Sequence, residues 1–158
     1  MPSVNSPFTF ARLSQQDAEV IAKWHYPEPY SFYDWSADVD DLRELLDPAL
    51  RGDAYWGVHD EGGELVGHFS FKPRGGALEI GLGLRPDLTG RGLGDAFLAA
   101  GLDFARRRFA PERFTLAVAT FNKRAIKVYE RAGFARERVY MHATNGGEWE
   151  FLEMSRRA

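Results

Sequence analysis

The chain has 158 residues, 44% of them apolar, and a net charge of −3, with no cysteine. That length suits one domain over residues 1–158 with a substantial core, and the lack of cysteine excludes disulfides, thiolate metal sites and a cysteine nucleophile. The negative balance argues against nucleic-acid binding through a basic surface, and no apolar run is long enough to span a membrane.

Met1 to Pro7 has neither the basic nor the apolar region of a signal peptide, so a cytoplasmic protein is expected. Phe8 to Leu13 alternates weakly and predicts a first strand. Ser14 suits an N-cap, and Ala18, Ile21 and Ala22 recur at helical spacing up to Trp24. Between His25 and Trp35 stand two prolines and five aromatic residues, which fit neither a helix nor a central strand. Such a segment is either the lid of a small core or a wall of a substrate pocket; Tyr30, Tyr33 and Trp35 are its candidate substrate-facing residues. The four histidines, His25, His59, His68 and His142, show no metal-ligand spacing.

Residues 40–50 predict a short helix that buries Leu42, Leu45, Leu46 and Leu50. Strands follow over 54–59 and 64–72, joined by the hairpin turn 60–63, and residues 73–76 turn into a strand over 77–84. On one side of that strand fall Leu78, Ile80, Leu82 and Leu84; on the other fall Ala77, Glu79, Gly81 and Gly83. A face stripped of bulk predicts a bulge, or the close approach of another backbone or a ligand. Glu79 is the lone carboxylate turned to that space.

The strand stops at Pro86 and passes through Thr89-Gly90-Arg91-Gly92-Leu93-Gly94 into a helical pattern over 96–106. Amides of such a loop and of the first helical turn lack intrahelical partners and can bind an anion, while glycines let the backbone come close. With Arg91 adding positive charge, a phosphate or pyrophosphate is the expected ligand. No Lys-Ser/Thr follows the last glycine, so this is not a P-loop, and the spacing is not that of dinucleotide folds. Arg106, Arg107 and Arg108 suit a helix C-terminus. Residues 114–120 form a nearly continuous apolar run, expected of a buried strand parallel to 78–84 in one right-handed unit. Next comes Asn122-x-x-Ala125-x-x-x-Tyr129-x-x-x-Gly133-Phe134. Asn122 can cap this helix, Gly133 can end it, and Asn122, Ala125 and Tyr129 share one face. Strands over 135–143 and 148–154 close the chain around an Asn-Gly hairpin turn.

The glycine loop resembles the acetyl-coenzyme A loop of the GNAT N-acetyltransferases, Arg/Gln-x-x-Gly-x-Gly/Ala, with Thr89 where that family usually has arginine or glutamine. The Asn122-to-Phe134 pattern resembles the other half of the same cofactor site, in the right order and at the right distance; together the two cover residues 77–134. The resemblance implies an α/β fold with a mixed, mostly antiparallel sheet of about seven strands and helices on both faces. It implies a bulged strand whose backbone pairs with the pantetheine arm of acetyl-coenzyme A. The implied cofactor contacts are Leu82, Leu84, Thr89, Gly90, Arg91, Gly92, Leu93, Gly94, Asn122 and Ala125. The implied activity is transfer of an acetyl group to a primary amine of a small molecule or peptide, by direct attack in a ternary complex without a metal. Tyr129 would serve as the acid for the departing thiolate, and Glu79, directly or through water, as the base for the amine. A homodimer is left open. Two rivals share the loop: a non-catalytic acyl-coenzyme A sensing domain, which could dispense with Tyr129 and Glu79, and a nucleotide-phosphate binder, for which no acidic magnesium motif follows.

Overall fold

The structure, a computed structural model, describes residues 6–158; the leader-peptide reading at residues 1–5 lies outside them. Seven strands, β1 (Thr9–Arg12), β2 (Tyr55–His59), β3 (Leu65–Arg74), β4 (Ala77–Leu84), β5 (Arg113–Ala119), β6 (Ala135–Thr144) and β7 (Gly147–Arg157), form one sheet in the order β1-β2-β3-β4-β5-β7-β6. Every neighbouring pair is antiparallel except β4 with β5. Five helices pack on it: α1 (Gln15–Ile21), α2 (Val39–Leu46), α3 (Pro48–Arg51), α4 (Gly94–Phe109) and α5 (Lys123–Arg131). None is long and apolar enough to cross a membrane.

Local chemistry sets the boundaries. The Ser14 hydroxyl accepts from the Asp17 amide at 3.1 Å and opens α1, as the sequence predicts. The helix expected over 40–50 is two helices, because Pro48 cannot continue a hydrogen-bonded turn. The Asp47 carboxylate restarts the chain by accepting from the Ala49 amide at 2.9 Å. Of the predicted leucine stripe, Leu45 is fully buried, but Leu50 beyond the break is 52% exposed. Strand β3 runs past its expected end through Pro73, which pairs opposite Leu78. The β2 ladder stops at Ser70, so the missing N–H of Pro73 breaks no sheet bond on that side.

Side chains alternate across the sheet into two cores. One gathers Trp56, Phe69, Phe71, Leu78 and Ile80 with Phe97, Leu98 and Leu102 of α4 and Ile126 of α5. The other gathers Leu13, Ala18, Ile21, Trp24, Leu45 and Tyr55 beneath α1 and α2. Helix α4 sits close to the sheet because Gly101 has no side chain; a Cβ there would overlap the buried Phe69 ring.

The parallel pair positions the site. Strands β4 and β5 pair only at Ala77–Arg113, Leu78–Phe114 and Glu79–Thr115. Beyond Glu79 they diverge, although β4 stays bonded to β3 up to Leu84 and β5 to β7 up to Ala119. The β3–β4 register runs without a shift, so the expected bulge is absent. The small residues of β4 instead admit cross-strand side chains. A Cβ on Gly81 would lie 2.6 Å from Ser70 Oγ, and one on Gly83 would lie 2.5 Å from His68 Nε2.

Candidate active site

The split between β4 and β5 opens into a cleft of about 830 Å³ that runs from the glycine loop to the α2 side of the sheet. Clefts of this size hold small ligands and cofactors. On the loop side, Gly90 and Gly92 adopt φ of 73° and 77°, which a side chain would strain. Helix α4 begins at Gly94 with no side chain capping it. Among the described residues, the amides from Gly90 through Ala96 donate to no protein acceptor. Such a row of unsatisfied donors at a helix start is suited to an anion. Arg124 and Lys127 of α5 line the same end and have no carboxylate partner among the described residues. Arg131, also in the lining, is held by Asp95 at 3.1 Å.

Helix α5 carries the other half. The Asn122 side-chain oxygen accepts from the Ala125 amide at 3.1 Å, which caps the helix. Tyr129 lies seven residues on and faces the cleft with no hydrogen-bond partner among the described residues for its hydroxyl. Burial, and then the neighbouring Tyr33 hydroxyl, raise its pKa, so it is held in the protonated form.

The aromatic segment forms two short 3₁₀ turns, Tyr30–Tyr33 and Trp35–Ala37, and bridges the split strands. The Tyr26 hydroxyl donates to the Leu84 carbonyl at 2.6 Å, at the end of β4. The Tyr33 hydroxyl accepts from the Ala119 amide and from the Asn122 side-chain amide, each at 3.3 Å, at the end of β5. The β6–β7 turn is tied in as well. Asp38 accepts from the Thr144 hydroxyl at 3.0 Å and the Asn145 amide at 2.9 Å, and Asn145 Nδ2 donates to the Phe32 carbonyl at 2.7 Å. The floor of this half is His68, only 7% exposed and in contact with Trp24 and Trp35. Its Nδ1 is buried without a partner, and desolvation pushes its pKa down to about 4.

Of the residues singled out in the sequence, Leu82, Leu84, Thr89, Gly90, Gly92, Gly94, Asn122, Ala125, Tyr129, Tyr30, Tyr33 and Trp35 line this one cleft. Arg91 and Leu93 belong to the loop but not to the lining. Glu79 is also outside it. It lies in the closed stretch of the β4–β5 ladder, 43% exposed, with Arg74 at 3.3 Å. Alternation placed its side chain on the right face of β4 but at the wrong end of the split. Tyr33 bonds Asn122 at the start of α5 rather than standing free in the cleft wall. Sequence reasoning missed Asp41, His68, Arg124 and Lys127, which all line the cleft. For Arg124 and Lys127 a signal existed, because they follow the Asn122 cap by two and five residues.

At one end of this cleft, then, a parallel pair parts beside a row of amides without protein acceptors among the described residues, faced by Asn122 and Tyr129. The chain belongs to the GNAT acetyltransferase family: the family pattern described as "Acetyltransferase (GNAT) domain" matches residues 8–135. It is 41% identical over 93 residues to a mycothiol acetyltransferase of Salinispora arenicola, covering 58% of this chain and 27% of that protein. Over 118 residues it is 34% identical to the mycothiol acetyltransferase of Propionibacterium freudenreichii, covering 70% of this chain and 36% of that one. The chain therefore spans about a third of the length of these curated relatives. The fold is shared with a spermidine N-acetyltransferase from Vibrio cholerae, crystallised with coenzyme A and spermine, at a TM-score of 0.77 and 21% identity, covering 97% of this chain and 96% of that one.

Proposed function

We propose that this domain transfers an acetyl group from acetyl-coenzyme A to a primary amine of a small molecule or peptide, by direct attack in a ternary complex. The observation that carries the reading is the divergence of β4 from β5 beside the unbonded amides of Gly90 to Ala96. Those amides, with Arg124 and Lys127, would hold the pyrophosphate, and the edge of β4 from Gly81 to Gly83, left unpaired by β5, would lie along the pantetheine arm. The coenzyme supplies an activated thioester. The amine nitrogen must be neutral to attack its carbonyl carbon; a C–N bond forms, the C–S bond breaks, and the thiolate takes a proton. Tyr129, which burial keeps protonated and whose hydroxyl has no partner among the described residues, would give that proton. A role for Glu79 in removing the amine proton would run through water, since the carboxylate stands outside the cleft.

Thermal-shift measurements with acetyl-coenzyme A, ATP and NAD, followed by thiol-release assays over a panel of amines, test the reading. Stabilisation by acetyl-coenzyme A alone, with thiol release in the presence of one amine class, is expected. A folded protein indifferent to acetyl-coenzyme A overturns it.

A further inference from the structure

The two open edges of the split are met by one segment, with opposite chemistry at each. On β4, the Arg85 amide donates to the Val66 carbonyl at 2.8 Å, beside β3. Hydrogen bonding alternates along a strand, so Leu84, one residue earlier, turns its carbonyl toward the side that β5 has left. The Tyr26 hydroxyl donates to that carbonyl and so uses its proton there. On β5, the Thr120 amide donates to the Glu150 carbonyl at 3.0 Å, and the preceding Ala119 amide points the other way, into the split. There the Tyr33 hydroxyl is the acceptor, not the donor.

Tyr33 accepts a second time. Capping orients the Asn122 amide group, since its oxygen is held by the Ala125 amide and its nitrogen donates to Tyr33 at 3.3 Å. With two N–H groups directed at the phenol oxygen, its acceptor positions are filled. Its own proton points away from both, along the cleft that Tyr33 lines, and meets no protein acceptor among the described residues. Tyr129 stands seven residues after Asn122, two helical turns along the same face. A helical side chain leans back toward the N-terminus, so the Tyr129 phenol reaches toward the Asn122–Tyr33 contact. The Tyr33 hydroxyl is near enough to perturb its ionisation.

Resting on the acetyl-transfer reading above, we propose that Tyr33 is a positioning residue for the acid: its hydroxyl replaces the proton that Tyr129 gives to the departing thiolate. As the C–S bond breaks, the Tyr129 proton passes to sulfur, and the Tyr33 proton passes through one water to the Tyr129 oxygen. Negative charge then rests on the Tyr33 oxygen, where the Ala119 and Asn122 N–H groups stabilise it as oxyanion donors do. The proton released by the attacking nitrogen returns through solvent to Tyr33. Nitrogen has lost one proton and sulfur has gained one, with no other reactant consumed. Tyr26 has no such part, because its proton is held by Leu84.

The test is single-turnover transfer from bound acetyl-coenzyme A to an amine that supports thiol release, timed in mixtures of light and heavy water. More than one proton moving in the same step makes the rate curve with deuterium fraction, and the native protein should show that curvature. Tyr33→Phe keeps the ring against Phe32 and Phe121. It should slow the step roughly five- to tenfold, the worth of one charge-assisted hydrogen bond, and straighten the curve. Added to Tyr129→Phe, it should slow the reaction no further, because Tyr33 acts through Tyr129. Tyr26→Phe loosens the same segment without touching the relay, so its effect should multiply with that of Tyr129→Phe and leave the curvature in place. A straight line in the native protein, or a Tyr33→Phe loss that multiplies with that of Tyr129→Phe, overturns the proposal. Thiol release with a straight line removes the relay alone; a lack of thiol release with every amine removes the transferase reading and the relay with it.

Discussion

Tyr129 and Glu79 were paired in the sequence as acid and base, and their surroundings now separate them. Tyr129 stands in the cleft, its hydroxyl unpartnered among the described residues, whereas Glu79 lies outside and is engaged by Arg74. Loss of a positioned general acid lowers turnover by about 10²–10⁴-fold. Tyr129→Phe, which keeps the ring, should therefore lower steady-state turnover roughly 10²-fold at saturating acetyl-coenzyme A with little change in cofactor affinity. Glu79→Gln interrupts at most a water-mediated path and should lower turnover less than tenfold. Measuring both variants on one acceptor fixes the order; a larger loss for Glu79→Gln would restore it as the principal proton-transfer group. The two residues were easy to name from sequence because Tyr129 shares a helical face with Asn122 and Glu79 interrupts a run of small residues. Their unequal placement was not legible, since strand alternation tells which face a side chain takes but not where two parallel strands part company.

At the scale of elements, the loop and α5 would together form the anion-binding surface of the proposed function. The glycine pattern announced the loop because positive φ at Gly90 and Gly92 is a local demand. Which cations assist it depends instead on how α5 packs against α4, which single-sequence periodicity does not fix. Arg91, the cation inside the motif, is outside the cleft lining, while Arg124 and Lys127 are in it. The Arg124 guanidinium lies 4.1 Å from the Tyr30 ring centre and so ties the basic wall to the aromatic segment. Arg124→Ala and Lys127→Ala should each weaken acetyl-coenzyme A binding by roughly three- to tenfold, with an effect that shrinks as salt is raised, as for partly exposed charge pairs. Arg91→Ala should change it less than either. Calorimetric titration at two salt concentrations checks this, and the reverse ranking would return Arg91 to the phosphate site. The break at Pro48 has a similar lesson. The leucine spacing of residues 40–50 reads as one helix, but the capping chemistry of Asp47 ends and restarts it, and Leu50 is left in solvent.

Across the whole molecule, the seven-stranded sheet could be anticipated from strand patterns and turn residues, because each hydrophobic run is short and punctuated by glycine or proline. Its opening could not, since the apolar run of β5 looks the same whether or not β4 lies beside it throughout. That opening exposes the floor of the cleft, and its buried histidine gives folding stability a pH dependence of definite sign. His68 is neutral in the folded protein down to about pH 4, whereas in the unfolded chain its pKa is about 6.5. The unfolded chain therefore takes up the proton first as pH falls, and stability declines with decreasing pH between about 6.5 and about 4. The difference amounts to about 3 kcal/mol over that window, present in full above it. Paired carboxylates add their own acid sensitivity, so the contribution of His68 is read from a comparison. Urea unfolding of the native sequence and of His68→Gln, at several pH values between 7 and about 4, should show a steeper loss for the native sequence. Glutamine keeps a polar group at the cleft floor and cannot titrate in this range. Parallel pH curves for the two proteins would mean that the imidazole finds a partner as it protonates, and that the cleft floor is wetter than its burial indicates.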